Sequence, residues 1–313
     1  MATTYQHIAA NTRKTWGLVL LFPVVFALLT TLIFGGVLLY VGANDPEMNL
    51  QAAGSVSLLI AGACWGLASL WMVLSYFAGD KWLLSGAGAV PVSPQDFPEI
   101  YRLVENLCIS RGLPVPRVFL IKDDSLNAFA TGRDPKHASV VLTSGIISKL
   151  ERAELEGVIA HELSHVENRD IRLMLICVAG IAFFAFAGEV LMRSASRSKK
   201  GGGPVLILGL ICLLYGYLFA PLIRLALSRR REYQADASAA LMTRNPAALA
   251  SALRKISQDS RVEALDEHAS MAAMCIANPL KKGGAAQWFA NLTATHPPIE
   301  KRIAALTEMD RGF

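Results

Sequence analysis

Cysteine and histidine are both scarce in this chain of 313 residues. There are five cysteines, and no two of them have the C-x-x-C spacing that is typical of cysteine metal sites. At least two stand inside hydrophobic stretches, which argues for a reducing compartment and against metal ligation by thiolates. Because the chain has only six histidines, a histidine motif has little chance of arising by accident.

Charged residues are also few. They make up 18% of the chain, whereas 53% is hydrophobic and the mean hydropathy is +0.39, a balance that indicates membrane spans. Residues 16–41 and 54–77 contain no charged side chain, and each run exceeds the roughly 20 residues that cross a bilayer core. The first run is too long for the hydrophobic part of a signal peptide, so it predicts an uncleaved anchor.

The distribution of charge predicts an orientation. Residues 1–15 contain Arg13 and Lys14 but no acid, whereas the connecting loop 43–53 has no basic residue. By the positive-inside rule, the N-terminus and the chain after the second span are cytoplasmic and the loop is outside. The net charge of +5 indicates contact with an anionic membrane surface, and the sequence contains no nucleic-acid-binding module.

Two more hydrophobic stretches, residues 173–192 and 204–227, follow later in the chain. The loop between them, residues 193–200, carries four positive charges. If both stretches cross the bilayer, this loop lies outside, against the positive-inside rule; if they form a re-entrant or interfacial hairpin, it remains inside. Both arrangements stay open, and both return the chain to the same side.

The stretch VIAHELSHV, residues 158–166, predicts a metal site. On a helix, His161 and His165 lie one turn apart on one face, where both imidazoles can bind one tetrahedral zinc ion. Glu162 is rotated by about 100° from His161, so its carboxylate stands beside the metal and can take a proton from the attacking water. The alternative is a helix with two surface histidines, but the apolar residues around the motif favour a buried helix.

A catalytic zinc usually has three protein ligands and one open position. Glu232 is the best third candidate, with neutralisation of the arginines before it as the alternative. Asp236, one turn later, would accept a hydrogen bond from a ligating histidine. Asp170 is rejected as a ligand because a continuous helix would turn it away from the side of His161.

Two further polar residues are candidates for the site. Asn168, two turns after His161, would orient His165 or a backbone group, or would simply be an exposed helix end. His296 precedes Pro297 and Pro298, which restrict the backbone and could aim the imidazole at the oxyanion of the reaction. Its alternative is an ordinary turn residue.

Residues 94–112 have apolar positions at helical spacing, and three short β-type runs follow at 117–121, 127–131 and 139–143. The middle run is small and nearly uncharged. Beside a hydrolytic site, such a strand could offer its open edge to an extended peptide, or it could be an ordinary strand of a sheet. A last helix is predicted at 299–309.

Taken in order, these motifs resemble the HtpX-like membrane metalloproteases, relatives of the CAAX prenyl proteases. The resemblance rests on the two N-terminal spans, the HELSH motif, the segment EYQAD that begins at Glu232, and the segment THPP that contains His296. It implies an α+β fold, in which a mostly helical gluzincin-type metalloprotease domain with a small β-sheet is attached to transmembrane helices. The corresponding division is a membrane anchor, the first half of the protease domain, a hydrophobic hairpin and the second half, at residues 1–78, 79–171, 172–227 and 228–313.

The resemblance also implies roles for particular residues. Glu232 would be the third ligand of one Zn²⁺ per chain, Asp236 would support the site and His296 would help to stabilise the transition state. The substrate-binding edge strand would be formed by Asn127, Ala128, Phe129 and Ala130.

The expected activity is zinc-dependent endoproteolysis of membrane or misfolded proteins at the cytoplasmic face of the bacterial inner membrane, in quality control and stress response. The expected partners are protein substrates and the lipid bilayer, without nucleic acid. One alternative is a prenyl-protein protease of the CAAX type. The other is a non-enzymatic scaffold or transporter, but a transporter would carry more ionisable groups inside its spans.

Overall fold

A computed structural model describes residues 4–44, 50–197, 206, 209–210, 212–216, 229–262, 265, 274–277 and 297–311. Within this part of the chain the fold is α+β, mostly helical with one small mixed sheet. The expected fold class is therefore confirmed.

Two long helices form the N-terminal membrane region. Helix α1 spans Thr4–Asn44 and packs along helix α2, Leu50–Gly86. Both satisfy the length and hydropathy of a membrane span. Large apolar side chains point outward, among them Leu20 at 70% and Leu59 at 74% exposure, as expected for a surface that faces lipid. Both predicted spans lie on these helices, although α2 continues well past residue 77.

A third helix of membrane-spanning length, α6, covers Asp170–Arg197 and contains the predicted stretch 173–192. It is bound to α2 by a hydrogen bond of 3.0 Å, in which the Trp71 indole N–H donates to the Ala179 carbonyl. Edge-to-face contacts join Phe183 to Phe22 and Phe26 of α1. The fourth predicted stretch, 204–227, lies largely outside the described residues.

Helix α3, Pro98–Arg111, begins later than the predicted residue 94. The reason is local, because the Ser93 hydroxyl donates to the Asp96 carboxylate at 2.6 Å and the chain makes a turn there. Pro98 then stands in the first turn, where its missing N–H costs nothing. Gly112, with φ of 65°, ends the helix in the left-handed conformation.

The sheet has four strands, β1 (Val90–Pro91), β2 (Arg117–Ile121), β3 (Ala128–Gly132) and β4 (Ala138–Thr143), in the order β1-β2-β4-β3. Strand β2 pairs in parallel with β4, while β3 pairs antiparallel with β4 and forms one edge of the sheet. The strands predicted from sequence are confirmed to within one residue. Those three strands are β2, β3 and β4, whereas the sequence did not predict β1.

Four more helices and the one that carries the histidines complete the described fold. Helix α5, Arg152–Glu167, starts with a capping box formed by Glu151 and Glu154. It is buried along most of its length and packs against β3 and against two later helices, Arg229–Thr243 (α7) and Pro246–Ile256 (α8). The remaining bounds are Ser144–Lys149 for α4 and Ile299–Asp310 for α9.

Candidate metal centre

His161 and His165 project from the buried face of α5, at 0% and 5% exposure. They are one turn apart, and their Nε2 atoms approach to 3.2 Å. The expected common face is therefore present, and it points into the protein rather than to solvent.

Glu232, on α7, brings a carboxylate to the same point. Its oxygens lie 3.8 Å from His161 Nε2 and 3.7 Å from His165 Nε2, and the side chain is almost fully buried. The donor atoms of the three residues all lie within 4.8 Å of one another. Ligands of a tetrahedral zinc with bonds of about 2.0–2.1 Å stand roughly 3.3 Å apart, so this donor set fits such an ion with a small contraction.

Besides Glu232, each imidazole has a further carboxylate at Nδ1, the ring nitrogen that faces away from the metal position. Asp236 Oδ1 is 3.0 Å from His161 Nδ1, and Asp170 Oδ2 is 3.0 Å from His165 Nδ1. A carboxylate at Nδ1 fixes the ring and the tautomer, leaving the Nε2 lone pair directed at the metal position. Asp236 thus occupies the place expected for it.

Asp170 does not face away, and that part of the sequence interpretation is wrong. Counting helical turns from His161 to Asp170 is valid only if the helix is continuous. Helix α5 ends at Glu167, however, and Arg169 has a left-handed φ of 58°. Asp170 then opens α6 and returns toward the histidines. Asp170 is not one of the three residues whose donor atoms cluster at the metal position. Its Oδ2 instead contacts Nδ1 of His165, the ring nitrogen that faces away from that position.

Asn168 is the C-cap of α5, where its N–H donates to the Ser164 carbonyl at 3.0 Å. Its own carbonyl accepts a hydrogen bond from the Asn11 side chain. The group that contacts the rear nitrogen of His165 is the Asp170 carboxylate, so the structure gives that orienting position to Asp170 rather than to Asn168.

Arg302 is a member of the site that sequence reasoning did not assign. It lies on α9 at 0% exposure, and its guanidinium donates to both Asp236 oxygens at 2.8 and 2.7 Å. Its Nη1 is also 3.7 Å from Glu232 Oε2. In the sequence Arg302 is distinguished only by its position shortly after the two prolines, and no pattern in the neighbouring residues predicts that it is buried.

These contacts set the charge of the site. Burial lowers the pKa of His161 to about 4, which keeps that imidazole neutral as a metal ligand requires. Burial also opposes protonation of His165, but Asp170 and Glu232 outweigh it and raise the pKa to about 9. The negative charges that stabilise a protonated His165 would equally attract a metal cation.

Glu162 lies beside the donor set rather than in it, at 1% exposure. Burial raises the pKa of its carboxyl group to about 7, although the positive charges of His165 and Arg302 oppose that shift. A carboxylate with such a pKa suits proton transfer near neutral pH. Helix α5, which carries Glu162, packs against the edge strand β3.

The predicted substrate strand is an edge strand, but its edge is not open along its whole length. Asn127 precedes β3, and its side-chain N–H donates to the carbonyls of Ser260 and Ala277 at 2.7 and 3.1 Å. The Ala128 carbonyl accepts from the Ile276 N–H at 2.9 Å. The expectation of an open edge is thus wrong at Ala128, because residues 274–277 of the same chain lie against it; Phe129 and Ala130 are buried as well.

His296 lies outside the described residues. Pro297 and Pro298, the next described residues, stand directly before α9, and α9 is confirmed at the position predicted for it.

The geometry has a counterpart among known proteins. A model of peptidase family M48 matches residues 94–310. The chain belongs to peptidase family M48. The match includes the helix with both histidines, Glu232 and Arg302.

Full-length relatives place the chain more narrowly. It is 40% identical over 310 residues to a protease HtpX homolog of Bacteroides fragilis, covering 95% of this chain and 96% of that protein. It is 38% identical over 316 residues to a protease HtpX homolog of Ligilactobacillus salivarius, covering 97% and 99%. The crystal structure of S. mikatae Ste24p aligns at 18% identity with a TM-score of 0.44, covering 92% of this chain and 66% of that one.

The resemblance to HtpX-like metalloproteases is thereby confirmed. The chain is a metalloendopeptidase, its substrates are proteins, and its site requires a metal ion. Helices α1, α2 and α6 make it a membrane protein in contact with lipid.

Proposed function

We propose that the protein is a zinc-dependent endopeptidase of the bacterial inner membrane that cleaves membrane or misfolded proteins on the cytoplasmic side, in quality control and stress response. The observation that carries the proposal is the buried cluster of His161, His165 and Glu232 with Glu162 beside it. Two imidazoles and one carboxylate are a donor set typical of proteolytic zinc. Bound there, zinc would polarise the scissile carbonyl and acidify the attacking water.

Glu162 has the role of general base and acid. Its carboxylate accepts the proton of the attacking water and returns a proton to the leaving amine. Its burial excludes bulk water and holds the pKa near neutrality, so that both transfers are accessible. His296 is proposed to donate a hydrogen bond to the oxyanion, on the strength of its position before the two prolines.

The outer edge of β3 is the proposed substrate-binding surface, formed by Asn127, Ala128, Phe129 and Ala130. An extended peptide would add to it as a further strand, with its main chain hydrogen-bonded to the strand. The proposal is supported by the packing of helix α5, which carries the proposed base Glu162, against β3. Because the Ile276 N–H donates a hydrogen bond to the Ala128 carbonyl, this bond must break before the main chain of a substrate can pair with that carbonyl.

The cytoplasmic orientation is supported by the charge of the flanks, since Arg13 and Lys14 precede the first span and residues 43–53, between the two uncharged runs, include no basic residue. Proteins and lipid are the proposed partners, without nucleic acid. The proposed organisation is an anchor, two halves of one protease domain and a membrane hairpin, at 1–78, 79–171, 228–313 and 172–227.

The test uses the full-length protein purified in detergent, stripped with a chelator and then given back zinc. An unfolded membrane protein and a prenylated peptide are offered as substrates. The proposal expects cleavage of the unfolded protein only in the zinc-loaded sample. Cleavage of the prenylated peptide alone would assign the chain to the CAAX type, and absence of any zinc-dependent cleavage would contradict the proposed function.

A further inference from the structure

Asn11 connects the first membrane helix to the metal centre. It lies in α1 before the uncharged run, and it is only 4% exposed. Its side-chain N–H donates to Asp170 Oδ1 at 2.7 Å and to the Asn168 carbonyl at 3.0 Å. A helix that the sequence presents only as an anchor therefore touches the connection that follows the metal-binding helix.

The Asp170 carboxylate is held on both oxygens. Oδ2 contacts His165 Nδ1, while Oδ1 accepts from Asn11 and from the Arg231 Nη1, the latter at 2.9 Å. The carboxylate is 2% exposed, so these protein donors take the place of water. In a buried network of this kind, the orientation of each group depends on its partners.

A second polar contact fixes α1 at the same place. The Arg172 guanidinium, on the first turn of α6, donates to the Thr12 hydroxyl at 2.7 Å, and Arg172 is itself buried. Asn11 and Thr12 are thus hydrogen-bonded to Asp170 and Arg172, the two residues that flank Ile171. The start of α6 cannot shift relative to α1 without breaking at least one of these bonds.

We propose that Asn11 is a positioning residue of the metal centre, which acts through Asp170 to fix the ring and tautomer of His165. The inference rests on the metal site proposed above. It makes the first membrane helix a structural part of that site, and metal affinity then depends on how α1 packs against the start of α6. In this role Asn11 touches neither metal nor substrate.

The test is the zinc affinity of the full-length protein in detergent, measured by competition with a chromophoric chelator. Asn11→Leu has a similar volume but cannot donate a hydrogen bond. We expect zinc to bind at least tenfold more weakly, the loss typical of outer-shell partners of a metal-binding histidine. Asn11→Ala, a smaller change, should lose affinity in the same direction.

The matched control is Thr15→Val, one turn further along α1. Thr15 is also buried, but its hydroxyl bonds within its own helix, to the Asn11 carbonyl. Zinc affinity should remain within twofold of the unchanged protein. An equal loss in Thr15→Val and Asn11→Leu would show general damage to α1 and would overturn the proposal.

A double-mutant cycle with Asp170→Asn tests the route. If Asn11 acts through Asp170, adding Asn11→Leu to Asp170→Asn should weaken zinc binding by less than threefold more. Full additivity, or unchanged zinc affinity in both single variants at position 11, would refute the positioning role. Failure of the unchanged protein to bind zinc at all would instead refute the proposed metal site, so the two outcomes are distinguishable.

Discussion

Arg302 balances the charge behind the metal site. Its guanidinium makes two hydrogen bonds to Asp236, which in turn holds His161. Burial raises the pKa of the Asp236 carboxyl group, but Arg302 outweighs this and lowers it, so Asp236 stays ionised. Removing the guanidinium would leave a buried carboxylate without its counter-charge.

Arg302→Gln should therefore reduce the free energy of unfolding of the metal-free protein by about 3 kcal/mol, the lower end for breaking a buried ion pair from one side. The matched control is Arg111→Gln, which breaks the partly exposed pair with Glu167 and should cost about 1 kcal/mol or less. Unfolding in denaturant, followed by tryptophan fluorescence in detergent, measures both.

Combining Arg302→Gln with Asp236→Asn removes both charges and should cost clearly less than the sum of the two single changes. Additive losses would mean that the pair contributes nothing as a pair, and the charge-balance account would be wrong.

At the scale of the elements, Gly157 sets the distance between α5 and α8. A Cβ atom placed there would lie 3.2 Å from both Cα and Cβ of Leu249, whose side chain is fully buried. Gly157 stands one turn before His161, so a change in this crossing is transmitted to the metal-binding face.

Gly157→Ala should reduce the free energy of unfolding by about 1 kcal/mol, because overpacking outweighs the better helix propensity of alanine. Gly66→Ala, on α2, is the control, since its Cβ would meet nothing within 4 Å and should be neutral or stabilising. A stabilised Gly157→Ala protein would show that α8 can move away without cost.

The start of α5 depends on Glu154, which is buried and accepts from Lys255 Nζ, Ser251 Oγ and the Glu151 N–H. Burial raises the pKa of its carboxyl group, but these three donors prevail and hold it below the ordinary value of 4.5. A lowered folded-state pKa stabilises the fold above the unfolded-state pKa, and this contribution is lost as the pH falls through the folded-state value.

Acidification below about pH 4.5 should therefore lower the unfolding midpoint of the unchanged protein more steeply than that of Glu154→Gln. Glu156→Gln, on the same helix, controls for loss of a carboxylate from α5. Identical midpoint curves for the unchanged protein and Glu154→Gln between pH 7 and about pH 3 would contradict the role given to this residue.

The elements show what the sequence can and cannot predict. Helical spacing placed His161 and His165 on one face, and β-type runs located three strands, because both features are local. The sequence does not predict the turn at Arg169, because no glycine or proline marks it. For the same reason it does not predict that Asp170 returns to the site. Arg302 and Asn11 were not assigned because their partners are distant in the chain, and local periodicity carries no information about such pairs.

For the whole molecule, the charge of the flanking segments predicts that residues 43–53, between the two uncharged runs, lie outside and that the protease domain lies inside. Single cysteines at Asn49 and at the exposed Gln258, in a background without the five native cysteines, should react differently with an impermeant thiol reagent in intact cells. Only the cysteine at position 49 should be labelled, while both react after permeabilisation. Labelling at position 258 in intact cells would reverse the orientation. The basic segment 193–200, whose first five residues end α6, is expected outside and can be tested in the same assay.

In the proposed mechanism His161, His165 and Glu232 hold one zinc ion, and Glu162 transfers the proton. The most direct test measures zinc per chain by atomic emission, after dialysis against a weak chelator, together with the rate of peptide cleavage. Glu162→Gln should retain about one zinc and lose at least two orders of magnitude in cleavage rate, whereas Glu232→Ala should lose zinc and cleavage together. Zinc retained by Glu232→Ala, or near-normal cleavage by zinc-loaded Glu162→Gln, would contradict the account.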